Sequence, residues 1–426
     1  MKVLVVGGGG REHAICWTLK KSSKVTELYC APGNGGIAEI ATCVPIKATD
    51  IEAMADYAKD NNFDLVFVAP DDPLALGLVD KLEEKGVRAF GPRANAAIIE
   101  ASKAFSKSLM KKYNIPTAKY ETFDNKDDAL KYLETQPMPI VIKADGLALG
   151  KGVIIAQTLD EAKAAVISMM EDKAFGSAGN TVVIEECMVG PELTLLAFAD
   201  GNIAVPMISS RDHKRAYDND QGLNTGGMGA VTPGADLSDE DMASIQNKIV
   251  KPTIEALKAE GRPFKGVIYF GLMLTKDGAK VVEYNARFGD PETQAILPLL
   301  ETDFMDIIDA CIDGTLADIE IKWKKKCSTV VVMASGGYPA SYAKGYEITG
   351  IDTCGKLVFQ AGTALTEDGK LVTSGGRVLV VYDEGDTLDE AIDGAYEGVK
   401  KISFKDAHYR TDIGRTVGKF GKEYHA

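Results

Sequence analysis

The chain of 426 residues has no apolar run longer than strand length: Leu65 to Ala69 and Val330 to Ala334 are typical. A membrane helix needs about 18–20 such residues, so no transmembrane span is expected. The N-terminal Met1-Lys2-Val3-Leu4-Val5-Val6 meets four glycines too early to form a secretory apolar region. Cysteine is sparse and never spaced as CxxC; the seven thiols (Cys16, Cys30, Cys43, Cys187, Cys311, Cys327 and Cys354) are odd in number and scattered. That usage argues against a disulfide framework or a zinc site, and for reduced thiols in a cytoplasmic protein. Basic charge is also short, with 48 Lys and Arg against 62 Asp and Glu and a net charge of −14. Broad nucleic-acid binding, which needs a basic surface, is thereby disfavoured. Only Lys324-Lys325-Lys326 forms a dense basic cluster, read as a solvated turn. No internal repeat or low-complexity tract is present.

What is present is alternation. Strand and helix patterns succeed one another over the first hundred residues: strands at Val3 to Val6, Glu27 to Cys30 and Asp64 to Ala69, helices at Arg11 to Lys21, Ile51 to Lys59 and Leu74 to Lys85. Repeated βα units predict a parallel sheet with ligands at the carboxyl ends of its strands. Helices around Ala94 to Ala101 and Lys103 to Tyr113 follow, then an α+β stretch to about Cys187 and a larger one to about Lys322. The last hundred residues are strand-rich with one late helix near Leu388 to Lys400.

Four segments carry chemistry. The first, Gly7-Gly8-Gly9-Gly10-Arg11-Glu12-His13, follows a strand but fails the dinucleotide fingerprint. Its third glycine position holds Glu12 or His13, and the next strand ends in Cys30-Ala31-Pro32 without a ribose carboxylate. That counts against a nicotinamide oxidoreductase. A glycine loop opening a helix remains an anion site, with Arg11 placed to fork a phosphate. The second, Asp145 to Gly152, lacks Walker A spacing and lies between two strands. It is read as a flap whose amides and Lys151 cover a triphosphate, with Lys143 at the end of a buried strand. Phosphate contact and a structural ion pair both account for a buried Lys143. The strand Val183 to Glu186 then leads into a hinge ending at Gly190, where backbone groups can meet adenine.

The third segment runs from Arg211-Asp212-His213-Lys214 to Gly226-Gly227-Met228-Gly229 and is expected to be an irregular, functional loop. In the fourth, Val281 to Glu292, strand alternation puts Glu283, Asn285 and Arg287 on one face, the first two about 6–7 Å apart along the backbone. A carboxylate and an amide oxygen side by side suit Mg²⁺ held through nucleotide phosphates.

Together these segments resemble the phosphoribosylamine–glycine ligase (glycinamide ribonucleotide synthetase) family of the ATP-grasp superfamily. The likeness covers the whole chain in order: GGGGREHA, APGNGG, GPRANAAIIEASKAFSK, IPTAKY, PIVIKADGLALGKGV, DHKRAYDNDQGLNTGGMGA, EYNARFGDPETQ and MASGGYPASYAKG. It implies an α/β and α+β multidomain fold: a Rossmann-like N-terminal domain (1–101), a two-part ATP-grasp module (102–326, with 121–189 as a mobile lid) and a small C-terminal β-rich domain (327–426). The implied reaction joins glycine to 5-phosphoribosylamine at the expense of ATP, through glycyl phosphate, in purine biosynthesis. By motif position, Lys103, Lys143, Gly150, Lys151 and Gly152 meet nucleotide phosphates, and Glu185, Glu186, Val189 and Glu192 line the adenine and ribose hinge. Glu283 and Asn285 hold Mg²⁺ or Mn²⁺. Arg287, Asp212 and Lys214 act in catalysis, and Gly9, Gly10, Arg11, Asp212, His213, Lys214 and Asp290 bind substrate. Small molecules are the only partners implied, for a cytoplasmic monomer.

Two departures stand out. Relatives read Gly-Glu-Glu after the hinge, whereas Gly190-Pro191-Glu192 lacks the first carboxylate. A further metal-binding glutamate of several ATP-grasp enzymes is absent from Tyr269-Phe270-Gly271. A non-catalytic nucleotide-binding regulator would keep hinge and flap but would not need the EYN pair and the DHKR segment.

Overall fold

The computed structural model describes residues 1–146, 152–172, 174 and 176–415. Five parallel strands open the chain: β1 (Lys2–Gly7), β2 (Glu27–Pro32), β3 (Thr42–Cys43), β4 (Leu65–Val68) and β5 (Ala89–Phe90). Their order is β3-β2-β1-β4-β5, which places the β1–helix turn at the point where the winding reverses. β4 is buried at every residue, as a strand covered on both faces must be. The helix expected over 74–85 is split into Asp71–Ala75 and Leu78–Glu84, because Gly77 takes a left-handed φ of +84° between them. Helices Ala94–Ala101 and Lys103–Lys112 are separated at Ser102, whose hydroxyl caps the second by accepting from the Phe105 N–H at 3.0 Å.

Next, β6 (Tyr120–Phe123), β7 (Ile140–Ala144), β8 (Val153–Ala156) and β9 (Val182–Glu186) form an antiparallel sheet in the order β6-β9-β7-β8. Helices Lys126–Leu133 and Leu159–Met170 cover it, and Ala129, Ile142, Val166 and Ile184 make a core belonging to this unit alone. From residue 192 the chain adds β10 (Glu192–Asp200), β11 (Ala204–Pro206), β12 (Arg211–Asp212), β13 (Arg215–Tyr217), β14 (Gln221–Asn224), β15 (Gly229–Thr232), β16 (Lys265–Thr275) and β17 (Gly278–Asn285). Strands β11-β10-β16-β17 build a second antiparallel sheet. This sheet shares its cores with the N-terminal sheet: Val66 and Leu78 cluster with Leu195 and Phe270, and Phe67 packs on Phe288 and Phe304.

The final third supplies β18 (Cys327–Ala334), β19 (Leu357–Gln360), β20 (Thr363–Leu365), β21 (Leu371–Thr373) and β22 (Arg377–Gly385), followed by helix Leu388–Val399. Their main sheet runs β12-β15-β18-β22-β19, so two strands from the segment before residue 233 are built into it. The middle of the chain and its C-terminal third are therefore joined by backbone hydrogen bonds as well as by packing. Among the described residues no helix is long and apolar enough to cross a membrane.

Candidate active site

The alternation expected over residues 283–287 is present. Tyr284 and Ala286 are buried, the Tyr284 hydroxyl sharing a hydrogen bond with Thr253 at 2.9 Å, while Glu283, Asn285 and Arg287 are half-buried on the other face. A bulge at Val282 interrupts the ladder, since Gly271 pairs with Glu283 but Leu272 with Val281. Gly271 lies directly across from Glu283, where a Cβ would come 3.0 Å from the Glu283 Cγ. The absent glutamate of this strand thus leaves room at the carboxylate.

Glu283 makes no side-chain hydrogen bond or ion pair with a described residue, and Asn285 Oδ1 accepts only from Arg287 at 3.0 Å. An unpartnered carboxylate beside an amide oxygen is a hard-oxygen donor pair that fits Mg²⁺ or Mn²⁺. No group of three or more His, Cys, Asp or Glu placed to hold a metal occurs among the described residues. Arg287 itself is committed to the protein: it meets Glu100 at 3.0 Å and the Phe288 carbonyl at 3.2 Å. Burial opposes its charge, but Glu100 and Asp71 together hold its pKa above the ordinary arginine value.

The lysines converge on this strand from two elements. Lys103, on the first turn of its helix, donates to the Gly146 carbonyl at 2.8 Å. Burial lowers its pKa, and Lys143 adds to the effect against the opposing charge of Glu283. Lys143 donates to the Val282 carbonyl at 3.0 Å and lies 3.1 Å from Glu185 Oε2. The same oxygen receives Lys107, also at 3.1 Å, and all three side chains are almost fully buried. Lys107 is pushed down to about 8 by burial, despite Glu185. The second oxygen, Glu185 Oε1, is buried without a hydrogen-bond partner. Phosphate contact and structural ion pairing were the two readings of Lys143; the ion pair is present in the protein by itself. Along the hinge, Glu186 accepts from the Lys119 N–H at 3.0 Å and Val189 is 75% exposed, an apolar surface open to a ligand. Gly150 and Lys151 lie outside the described residues, and the Gly152 carbonyl accepts from the Ala144 N–H at 2.9 Å.

The segment 211–229 is not the irregular loop expected from its glycines and charges. β12 pairs with β15, and β13 and β14 form a small two-stranded ribbon. The turn between them is made by Asn219 and Asp220, both at positive φ, a conformation these short polar residues tolerate. At the ribbon's base Asp212 Oδ2 holds Lys214 Nζ at 2.9 Å. Burial works against the Lys214 charge, yet Asp212, Tyr269, Glu192 and Glu283 outweigh it and keep the ammonium protonated well above its usual range. Glu192 opens to solvent at the start of β10 but stands among these same groups; desolvation, then Asp212 and Glu283, raise its pKa. Behind the pair, buried Glu292 accepts from the Tyr269 hydroxyl at 3.0 Å, and Tyr269 also bonds Thr194 at 2.9 Å.

His213 is not brought to this cluster. Its Nε2 accepts from the Gly414 N–H at 3.1 Å, and burial lowers its pKa to about 4, so the ring is neutral.

The glycine loop reaches the other side of the cleft. Gly9 lies against Asp290, to whose Oδ2 a Cβ would come within 3.5 Å, and Gly10 packs under Gln294 and Val380. The Gly9 amide, expected to be free for a phosphate, donates to Glu12 Oε2 at 2.6 Å, which forms a capping interaction three residues into the helix. Arg11 is likewise held by Glu12 at 2.6 Å and by the Phe288 carbonyl at 3.1 Å. Asp290 accepts from Gln294 at 2.7 Å and pairs with Arg377 at 3.1 Å. Burial disfavours its charge, but Arg377 and Arg11 hold its pKa below the usual carboxylate range. Arg377 also donates to the Gly226 and Asp290 carbonyls at 2.8 Å each, so it ties the end of the ribbon segment to the RFGDPE turn.

Five residues in this arrangement escaped the sequence reading. Lys107 carried a signal, since it follows Lys103 by four and shares its helix face. Glu100, Tyr269, Glu292 and Arg377 carried none, because their partners are set by tertiary packing.

Comparison with known proteins gives the family. Models of phosphoribosylglycinamide synthetase match most of the chain: the N domain over residues 1–100, the ATP-grasp (A) domain over 101–293 and the C domain over 328–416. The phosphoribosylamine–glycine ligase of Caldanaerobacter subterraneus subsp. tengcongensis is 49% identical over 414 residues, 97% of this chain and 99% of that one. The trifunctional purine biosynthetic protein adenosine-3 of Bos taurus is 46% identical over 97% of this chain, which corresponds to 42% of that larger protein. A crystal structure of phosphoribosylamine–glycine ligase from Thermotoga maritima superposes with a TM-score of 0.87 at 33% identity, covering 97% of this chain and all of that one. On this evidence of sequence, fold and cleft, the chain belongs to the phosphoribosylamine–glycine ligase family of ATP-dependent ATP-grasp ligases.

Proposed function

We propose that the cleft joins glycine to 5-phosphoribosylamine with ATP, giving glycinamide ribonucleotide, ADP and phosphate, and that the residues described above divide the work as follows. Val189 and the backbone of Glu186 seat the adenine, with the unpartnered Glu185 Oε1 available to its amino group. Lys103, Lys143, Gly150, Lys151 and Gly152 serve the phosphate oxygens, and Glu192 serves the ribose. Glu283 and Asn285 would hold Mg²⁺ or Mn²⁺, which supplies charge neutralisation on the transferring phosphoryl group.

A carboxylate is a poor electrophile, so glycine is activated first. One carboxylate oxygen attacks the γ-phosphorus, the O–P bond to ADP breaks, and glycyl phosphate forms. Lys214, held by Asp212, offsets the negative charge that builds up in the transfer, and Arg287, held by Glu100, adds a second cation. The ribosylamine nitrogen then attacks the acyl carbon, the acyl C–O bond breaks and phosphate leaves. The surplus amine proton passes to Asp212, 2.9 Å from Lys214. Gly9, Gly10, Arg11 and Asp290 form the opposite wall and receive the phosphoribosyl part. Because Glu12 already satisfies the Gly9 amide, phosphate binding there needs Gly10, Arg11 or a small displacement of Glu12.

Within the ATP-grasp module 102–326, which follows the N-terminal unit 1–101 and precedes the C-terminal unit 327–426, the unit 121–189 serves as a lid that excludes water from the acyl phosphate. The reading includes a monomeric enzyme acting in the cytoplasm on these small molecules.

The observation that carries the proposal is the unpartnered Glu283 carboxylate beside Asn285 on β17, to which Lys103, Glu192 and Lys214 bring their charges from three further chain segments. Steady-state kinetics of Glu283→Gln and Lys214→Met test it. The first is expected to weaken the metal–nucleotide dependence, the second to lower turnover with glycine and phosphoribosylamine while ATP binding is retained.

A further inference from the structure

The β13–β14 ribbon, which starts at the residue after Lys214, has little support of its own. All of β14 is exposed, as are Tyr217, Asn219 and Asp220. Two-stranded ribbons are marginal in water without a packed face. Its support comes instead from the far end of the chain. Residues 408–414 leave the C-terminal sheet through an antiparallel bridge between His408 and Ala334, and Tyr396 on helix Leu388–Val399 donates to the Arg410 carbonyl at 2.7 Å. From that anchor the segment runs along the ribbon and bonds it repeatedly. His408 Nε2 meets the Ala216 carbonyl at 2.7 Å, and Asp412 accepts from the Asn219 N–H at 2.8 Å. The Gly414 N–H reaches His213, which in sequence separates Asp212 from Lys214, at 3.1 Å.

Arg410 is the centre of this contact. Its side chain is 1% exposed, yet it carries a full charge, donating to Asp412 at 2.7 Å, to Asp220 at 2.8 Å and to the Arg215 carbonyl at 3.2 Å. A buried guanidinium fully matched by two carboxylates and a carbonyl fixes geometry, because any displacement of the ribbon leaves part of the fork unpaired. Arg215 is adjacent to Lys214, so the fork acts one residue from the ammonium.

We infer that residues 408–414 are a positioning strap: through Arg410 the C-terminal third holds the β13–β14 ribbon in the one placement that stands Lys214, the residue before β13, beside sheet-anchored Asp212 in the cleft. Arg410 thus acts on the reaction without touching substrate. The inference rests on the roles proposed above for Asp212 and Lys214.

The test uses the full chain with ATP, Mg²⁺, glycine and phosphoribosylamine, and the variants Arg410→Lys, Asp220→Asn and their double. Asp220 is 66% exposed on its side chain and has a positive φ that asparagine tolerates, so Asp220→Asn removes the charge without straining the turn. Arg410→Lys is expected to lower kcat/KM for glycine and phosphoribosylamine about tenfold, with the KM for ATP within about twofold of the parent, as loss of a charge-assisted contact predicts. Asp220→Asn should give a smaller loss of the same pattern, and the double variant should be no worse than Arg410→Lys alone, since both weaken one fork. Losses that fall equally on ATP, or that add in the double variant, would overturn the strap and leave Arg410 a purely structural residue. Lys214→Met separates the two layers of the argument. If it loses activity while both strap variants keep normal kinetics, the strap is refuted. If it keeps wild-type turnover, the assignment of Lys214 is wrong and the strap falls with it.

Discussion

Replacing Glu185 by glutamine removes the negative charge that two buried lysines share while keeping the side chain's shape. Lys107 and Lys143 each lie 3.1 Å from the same carboxylate oxygen, in a site 3–5% exposed. Uncompensating a buried ion pair by removing one partner costs about 3–5 kcal/mol, and here two cations lose their partner at once. Glu185→Gln is therefore expected at the upper end, about 4–5 kcal/mol.

Lys107→Met should behave differently. Burial lowers the Lys107 pKa from 10.5 to about 8, so the charged side chain is already disfavoured by the fold, by roughly 3 kcal/mol at 1.36 kcal/mol per unit. Removing it leaves Glu185 and Lys143 as a neutral pair and forfeits one hydrogen bond to Thr117 at 2.7 Å, worth about 1 kcal/mol. Lys107→Met should thus be no less stable than the parent by more than about 1 kcal/mol. Urea unfolding followed by circular dichroism compares the two variants. If Lys107→Met is as damaging as Glu185→Gln, the charge count at this site is wrong.

Other consequences follow from particular contacts. Glu283→Gln should lose at least about 2 kcal/mol of transition-state stabilisation, seen as a fall of more than about thirtyfold in kcat/KM. Asn285→Asp, which keeps an oxygen donor, should harm activity less than Asn285→Leu, and equal losses would remove Asn285 from the metal's donors. His13 is buried, accepts from the Gln360 N–H at 2.8 Å and has its pKa lowered to about 4 by burial. The unfolded chain protonates this residue near 6.5 and the folded chain does not, so its contribution is complete above pH 6.5 and declines as pH falls toward 4. At pH 5 the loss amounts to about 2 kcal/mol relative to pH 7 or above. His13→Gln, which keeps an acceptor without titrating there, should flatten the acid limb of urea stability by that amount; an unchanged limb would show that His13 is not held neutral. Arg377→Met should raise the KM for phosphoribosylamine, because Asp290 and the Gly226 carbonyl lose their shared donor; an unaltered KM would separate this tie from substrate binding.

Periodic and local features were legible in the sequence. The alternation of Glu283, Asn285 and Arg287 against buried Tyr284 and Ala286 needed only the two-residue period of a strand, and the parallel N-terminal sheet followed from its βα repeats. Where the reading failed, a local signal was sometimes present and assigned to a ligand. Glu12 stands three residues after Gly9, the position from which a carboxylate caps its own helix, and it takes the amide that was expected to bind phosphate. The ribbon at 215–224 was hidden by the same glycines and charges that marked it as functional. Other contacts had no sequence signal at all: Lys107 and Glu185 are brought together from helix Lys103–Lys112 and β9, and Arg377 reaches Asp290 from β22. Such pairs depend on how sheets pack, which the periodicity of any one segment does not encode.

The central claim is that one cleft couples ATP cleavage to joining an amine and a carboxylate. ADP release by the full chain with Mg²⁺, measured with glycine and phosphoribosylamine omitted in turn, tests it most directly. The account predicts rapid ADP formation only when both are present, one ADP for each glycinamide ribonucleotide, because an acyl phosphate shielded from water waits for its amine. Fast ADP release without glycine would contradict it.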